Sequence, residues 1–136
     1  MKHKVLLIED NEQNRYLATF LLEKHGYAVV SAADGPAGIE LARTDRPALI
    51  LLDIQLPLMD GYAVARALRN NPDLRDIPII AVTSFAMVGD REKSLAAGCN
   101  GYLEKPINPD TFVTEIERFL PQNKKGNSDD PNPDSR

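Results

Sequence analysis

Four short apolar runs in this 136-residue chain end in side chains that could do chemistry. Val5–Ile8 delivers Glu9 and Asp10, Ala48–Leu52 delivers Asp53, Ile77–Val82 delivers Thr83 and Ser84, and Asn100–Leu103 is followed by Glu104 and Lys105. Carboxylates gathered in one place repel, and each has its pKa raised unless a cation intervenes. An all-oxygen, highly charged set suits a hard divalent ion. Mg²⁺ fits best, because it keeps several waters and is held by one or two carboxylates plus a phosphate. An ammonium and a hydroxyl nearby supply donors for a phosphoryl group, whose transfer needs little beyond positioning and charge neutralisation. An aspartate can itself be the nucleophile, giving an aspartyl-phosphate. The constellation suggests a carboxylate that accepts phosphate under Mg²⁺. Taken singly, each residue has a plainer reading: Asp53 ends a strand or caps a turn, Lys105 is a solvated strand-end lysine, and Thr83 is a β-branched strand residue. Only their convergence gives weight.

That convergence depends on the elements behind them. The unbroken run Ala48–Leu52, bounded by Pro47 and by the loop with Pro57 and Asp60-Gly61, reads as a strand buried on both faces of a parallel sheet. Asp53 then emerges at the carboxyl edge, where open α/β sheets bind ligands. Before it come Val5–Ile8, a helix capped by Asn11 with Leu17, Phe20, Leu21 and Leu22 inward and Gly26 as its stop, a strand over Tyr27–Ser31, and a helix opened by Asp34-Gly35-Pro36. After it come a helix with Val64, Ala65 and Leu68 on one side, the strand Ile77–Val82, a helix from about Val88 to Ala97, the strand Asn100–Leu103, and a last helix starting at Asn108 or Asp110 with Phe112, Val113, Ile116, Phe119 and Leu120 inward. Five successive βα units predict an α/β fold with a parallel sheet and right-handed crossovers, which brings all four loci to one edge.

Composition sets the outer limits. The length fits one domain, residues 1–121, and Gln122–Arg136 is polar throughout, predicting a disordered C-terminal tail. One cysteine, Cys99, excludes an internal disulfide and reads as a small buried residue. His3 and His25 lack the ligand spacing of a zinc site. The apolar core of the N-terminal stretch is too short for a signal peptide, and no stretch approaches the ~20 apolar residues of a membrane span. A net charge of −4 argues against direct DNA binding. The expectation is a cytoplasmic protein with no membrane association.

The sequence resembles the receiver domains of two-component response regulators over roughly Lys2–Leu120, through LLIEDN, LILLDIQLPLMDG, IIAVTS and GYLEKP in this order. The resemblance implies a flavodoxin-like, doubly wound (βα)5 fold with a five-stranded sheet of order 2-1-3-4-5. It also implies roles. Asp53 matches the phosphoacceptor, and Glu9 and Asp10 match the acidic pair that holds Mg²⁺ (or Mn²⁺), with Glu9 acting through a water. Gln55 matches the residue lending a backbone carbonyl to the metal, its side-chain type mattering less. Thr83 and Lys105 match the hydroxyl and ammonium that meet the phosphoryl group, Tyr102 matches the aromatic switch, and the bond to Pro106 is expected to be cis. Such a domain assists its own phosphorylation and dephosphorylation without being a conventional enzyme.

Phosphate is then expected from a sensor histidine kinase or a histidine phosphotransfer protein. The signal is expected to leave through a face around residues 85–103 and the last helix, which would dock a downstream protein partner. Phe85, near the pocket mouth, either limits water access and slows hydrolysis or packs against the helix that follows. With only a short polar tail after the last helix, the chain resembles a stand-alone receiver, the alternative being a fragment of a hybrid histidine kinase. A Mg²⁺-dependent hydrolase with an Asp nucleophile would need a second Asp two residues on, where this chain has Gln55. A flavodoxin-like cofactor binder would need a phosphate cradle after the first strand, where Glu9-Asp10-Asn11-Glu12 would repel phosphate.

Overall fold

A computed structural model describes residues 3–84 and 89–120, and the element order alternates strand and helix throughout: β1 Lys4–Ile8, α1 Glu12–Lys24, β2 Ala28–Ala32, α2 Gly35–Asp45, β3 Leu49–Asp53, α3 Gly61–Arg69, a 3₁₀ turn at Pro72–Leu74, β4 Ile79–Thr83, α4 Asp90–Ala96, β5 Gly101–Glu104 and α5 Phe112–Glu117. All strand pairs are parallel and the sheet order is β2-β1-β3-β4-β5, as expected. Phe85 and the tail 122–136 lie outside the described residues.

The sheet is covered on both faces, which is why its strands are apolar runs rather than alternating ones. Leu6, Ile8, Ile50, Leu52, Ile79 and Ala81 pack with Ala42, Val64, Leu68 and Leu74 on one face. Val5, Leu7, Leu49, Leu51 and Ile80 pack with Leu21, Leu22, Phe112 and Ile116 on the other. Successive residues of a strand point to opposite faces, so one run feeds both layers. The first helix is capped by Asn11 as expected, and Asp34 and Asp60 cap α2 and α3 in the same way. Asn11, Asp34 and Asp60 each accept a hydrogen bond from the N–H three residues on, at 2.9, 2.8 and 2.9 Å.

Several boundaries differ from expectation. The fourth strand begins at Ile79 rather than Ile77: Pro78 has no N–H to give, and the Ile77 N–H donates back to the Leu74 carbonyl in a turn. The second, third and fifth strands each sit one residue later than expected. The last helix begins at Phe112, because Asn108 and Asp110 form the turn before it, with the Asp110 N–H donating to Asn108 Oδ1. Phe20, expected inward, is half exposed and stacks on Tyr16, while the smaller Ala18 faces the sheet beside Leu21 and Leu22.

Candidate functional site at the carboxyl edge of the sheet

Register decides which strand-end residues meet. Ile8 is level with Leu52, so Glu9 and Asp53 leave adjacent strands side by side. Asp53 is level with Val82, which places Thr83 one residue further along β4. Lys105 follows β5, beyond β4, and its long stem reaches back across Thr83. Its Nζ lies 2.9 Å from Glu9 Oε1 and 3.2 Å from Asp53 Oδ2. Glu9, Asp53 and Thr83 are buried, Asp53 at only 2% exposure, while Asp10 stands at the surface.

The acidic end of β1 is held open by its neighbours. The Asn11 N–H donates to Glu9 Oε2 at 3.1 Å, and Arg15 Nη1 donates to the carbonyls of Glu9 at 2.8 Å and Asp10 at 3.3 Å. Just past β3 the Gln55 N–H donates to Asp53 Oδ1 at 3.0 Å. Beneath that loop, Gly61 lets α3 approach closely. A Cβ there would sit 2.6 Å from the Ile54 Cα and 2.8 Å from the Asp53 carbonyl oxygen. Neither Arg15 nor Gly61 was marked by strand-end reasoning. Arg15 works through backbone carbonyls, and the Asp60-Gly61 pair reads as a turn signal that hides a packing role.

The electrostatics of the pocket are unbalanced. Burial, then the Glu9 carboxylate beside it, pushes the Asp53 carboxyl up from 3.8 to about 7, against the opposing pull of Lys105 and the Gln55 N–H. Burial works against the Lys105 ammonium, but Glu9 and Asp53 together outweigh it and its pKa rises. One ammonium faces two buried carboxylates, and a third is close: oxygens of Glu9, Asp10 and Asp53 lie within 4.8 Å of one another. The set is all oxygen, highly charged and reachable from solvent on the Asp10 side, so it fits a hard divalent cation such as Mg²⁺.

The remaining expected residues fall around this pocket. Gln55 does more than its backbone suggested: its Nε2 donates to Thr83 Oγ1 at 2.8 Å, and its Oε1 accepts from the Ser84 N–H at 3.3 Å. The expectation for Gln55 concerned only its backbone carbonyl toward a metal, and these side-chain bonds stand beside it. The Lys105–Pro106 bond is cis, as the resemblance implied. Tyr102 is half-buried on β5 against the same core as Ile50 and Leu52, with its phenol pKa raised by burial first and then by Asp90 and Glu104. It borders a cavity of about 590 Å³ between β5 and α5, together with Arg91, Glu104, Ile107 and Glu115. Cys99 is buried as expected, and burial pushes its thiol up to about 11. No helix among the described residues is long and apolar enough to cross a membrane.

A parallel sheet in this order, with an acidic pocket and a lysine at its carboxyl edge, defines the receiver class of signalling domains. The chain belongs to that class: the family model for the response regulator receiver domain matches residues 5–117, so this is a signalling switch of two-component systems. Over 120 residues it is 43% identical to the polar-differentiation response regulator DivK of Brucella anthropi, covering 88% of this chain and 98% of that regulator. Among solved structures it is similar to the receiver domain of sensor histidine kinase PA1611 from Pseudomonas aeruginosa, described with a magnesium ion coordinated in its active site cleft. That likeness has a TM-score of 0.81 at 38% identity and covers 88% of this chain and 98% of that one. The chemotaxis response regulator CheY4 of Vibrio cholerae superposes with a TM-score of 0.84 at 30% identity, covering 88% of this chain and all of CheY4.

Proposed function

We propose that Asp53 is the phosphoacceptor of this receiver, in a pocket where Glu9, Asp10 and Asp53 would hold a divalent cation together with the Gln55 backbone carbonyl. The observation that carries this reading is the position of Lys105 Nζ, between Glu9 Oε1 and Asp53 Oδ2, at the buried end of β3. An Asp53 oxygen attacks phosphorus as the bond from phosphorus to the donor's imidazole nitrogen breaks, and the imidazole leaves with the electron pair and takes up a proton. The cation, Mg²⁺ or Mn²⁺, supplies charge neutralisation for the phosphoryl oxygens. Lys105 loses Asp53 as an ionised partner and meets a phosphoryl oxygen instead, while the Thr83 hydroxyl donates to another. The donor is a phosphohistidine on a sensor kinase or a histidine phosphotransfer protein, and the domain occupies residues 1–121.

Movement of Thr83 toward the phosphoryl group is read out at Tyr102, on the next strand, and so at the groove between β5 and α5. That groove, with α4 beside it, is the surface offered to a downstream protein partner. Intact-protein mass after incubation with Mg²⁺ and acetyl phosphate tests the acceptor. One phosphate on the wild type, none on Asp53→Asn and none with EDTA is the expected result. Phosphate on both proteins places the acceptor elsewhere. No phosphate from either acetyl phosphate or a purified phosphohistidine donor removes the reading altogether.

A further inference from the structure

The Gln55 side chain is bonded at both ends of its amide, and both partners sit at the end of β4. The Ser84 N–H can only donate, so the amide atom facing it at 3.3 Å is Oε1, and the atom 2.8 Å from Thr83 Oγ1 is Nε2. The orientation of the amide is therefore fixed by its partners. The Thr83 oxygen therefore accepts from Gln55 in this state, which ties it to the β3 loop, while its own O–H is the group that a phosphoryl oxygen would take. The Gln55 N–H meanwhile donates to Asp53 Oδ1 at 3.0 Å, so one residue spans the acceptor and the switch strand.

We propose that the Gln55 side chain is a placeholder. In the resting protein its carbonyl oxygen takes the Ser84 N–H, and its NH₂ engages the Thr83 oxygen, occupying the β4 groups nearest to where a phosphoryl group on Asp53 would stand. An anionic phosphoryl oxygen is a stronger acceptor for the Ser84 N–H than the neutral Oε1, so it displaces that oxygen, and the Nε2 bond is given up as Thr83 moves away from the β3 loop toward Asp53. The displaced bonds set a threshold: until a phosphoryl group is present, Thr83 is held to the β3 loop rather than released toward Asp53. Gln55 is thus a positioning residue, and it acts against the switch rather than for it. The inference rests on Asp53 being the acceptor.

Beryllofluoride, a phosphoryl mimic, separates the two claims when titrated at saturating Mg²⁺ and followed through backbone amide resonances. The acceptor reading requires binding to the wild type and none to Asp53→Asn; failure there takes down that reading and this one with it. Given that binding, Gln55→Met keeps the length and volume of the side chain and removes both amide bonds. It is expected to bind beryllofluoride roughly fivefold more tightly, the equivalent of one net hydrogen bond no longer broken. Its Ser84 amide resonance, before any ligand is added, is expected to leave the wild-type position because the Oε1 acceptor is gone, and to reach the wild-type bound position at saturation. Gln55→Asn, whose stem is one methylene too short to span both partners, should do the same and decides the matter if the Met variant fails to fold. Equal or weaker beryllofluoride binding by the folded variants overturns the placeholder and makes Gln55 a helper of the bound state.

Discussion

The two ends of the sheet each hold a partly buried cation, and they treat it in opposite ways. At the amino end of β4 and β5, Arg69 from the last turn of α3 donates to the carbonyls of Gly98, Leu74, Arg75 and Ile77 and to Asn100 Oδ1. Asn100 Oδ1 also accepts from the Ile79 N–H, the first residue of β4. Every acceptor there is neutral, and all three nitrogens of the guanidinium are engaged. At the carboxyl end, Lys105 faces Glu9 and Asp53 with Asp10 close by, so negative charge is in excess. A cation surrounded by dipoles is finished and ties three segments together, α3, residues 74–79 and residues 98–100. A cation outnumbered by carboxylates leaves charge over, and that charge is what a divalent ion and a phosphoryl group can use. Bond distances are alike at the two ends, but Asn100 and Arg75 are exposed where Glu9 and Asp53 are buried, so the surplus charge sits where water screens it least.

The largest expected effect comes from breaking the neutral end. Arg69→Met keeps the stem and removes all five hydrogen bonds, leaving carbonyls that only partial hydration can satisfy. A loss of about 3 kcal/mol is expected, read as a lower urea midpoint at unchanged slope. Phosphorylation of the folded variant by acetyl phosphate should proceed as in the wild type. If the folded variant no longer accepts phosphate, the two ends are coupled and the contrast between them fails.

At the carboxyl end the sign reverses. In EDTA, Asp53→Asn keeps an acceptor for the Gln55 N–H while removing a surplus charge, and stability should rise by on the order of 2 kcal/mol at pH 8. The folded wild type holds the Asp53 proton up to about pH 7, whereas the unfolded chain releases it near 3.8. Between those values the folded state binds more protons, so this contribution is fully present below about pH 4 and is lost as pH rises through 7. Urea midpoints in EDTA across that range should fall for the wild type and not, from this source, for Asp53→Asn; parallel profiles would refute the imbalance. Mg²⁺ at ten times its dissociation constant should then restore about 1.4 kcal/mol to the wild type, and a thermal melt with and without the ion measures it. Stabilisation by Mg²⁺ that survives in Asp10→Asn would take Asp10 out of the metal site.

This asymmetry also governs what the sequence reveals. The carboxyl-edge residues were legible because a parallel sheet sends the residue after every strand to one edge, so Glu9, Asp10, Asp53, Thr83 and Lys105 could be brought together from the alternation of strands and helices alone. The neutral cluster was not. Four of the five acceptors of Arg69 are backbone carbonyls, which any residue carries, so no pattern of types announces them. The Gln55 clasp was hidden for a related reason, since its partners are a hydroxyl and an N–H across the sheet and not along the chain. Phe20 was misplaced because helical spacing admits it to the inward face, and only packing shows that the sheet takes Ala18 there while Phe20 lies against Tyr16 and beneath the Lys24 ammonium.

The finest contrast between the ends is made by one chemical change applied at each. Asn100→Asp adds a carboxylate beside Arg69, and its oxygen can still accept from Arg69 and from the Ile79 N–H, now next to an opposite charge. Exposed pairs of this kind are worth little, so a change within about 0.5 kcal/mol is expected, on the stabilising side. Gln55→Glu makes the same amide-to-acid change where three carboxylates already gather. It keeps an acceptor for Ser84, cannot donate to Thr83 while ionised, and adds to the surplus, so about 1 kcal/mol of stability should be lost in EDTA and part of it regained in Mg²⁺. Urea midpoints of the two variants, each with EDTA and with Mg²⁺, make a four-way comparison. A Mg²⁺-dependent change confined to Gln55→Glu supports a charge surplus at one end only. The same Mg²⁺ response in Asn100→Asp would mean that added acid anywhere binds the ion, and the carboxyl edge would lose its claim to be special.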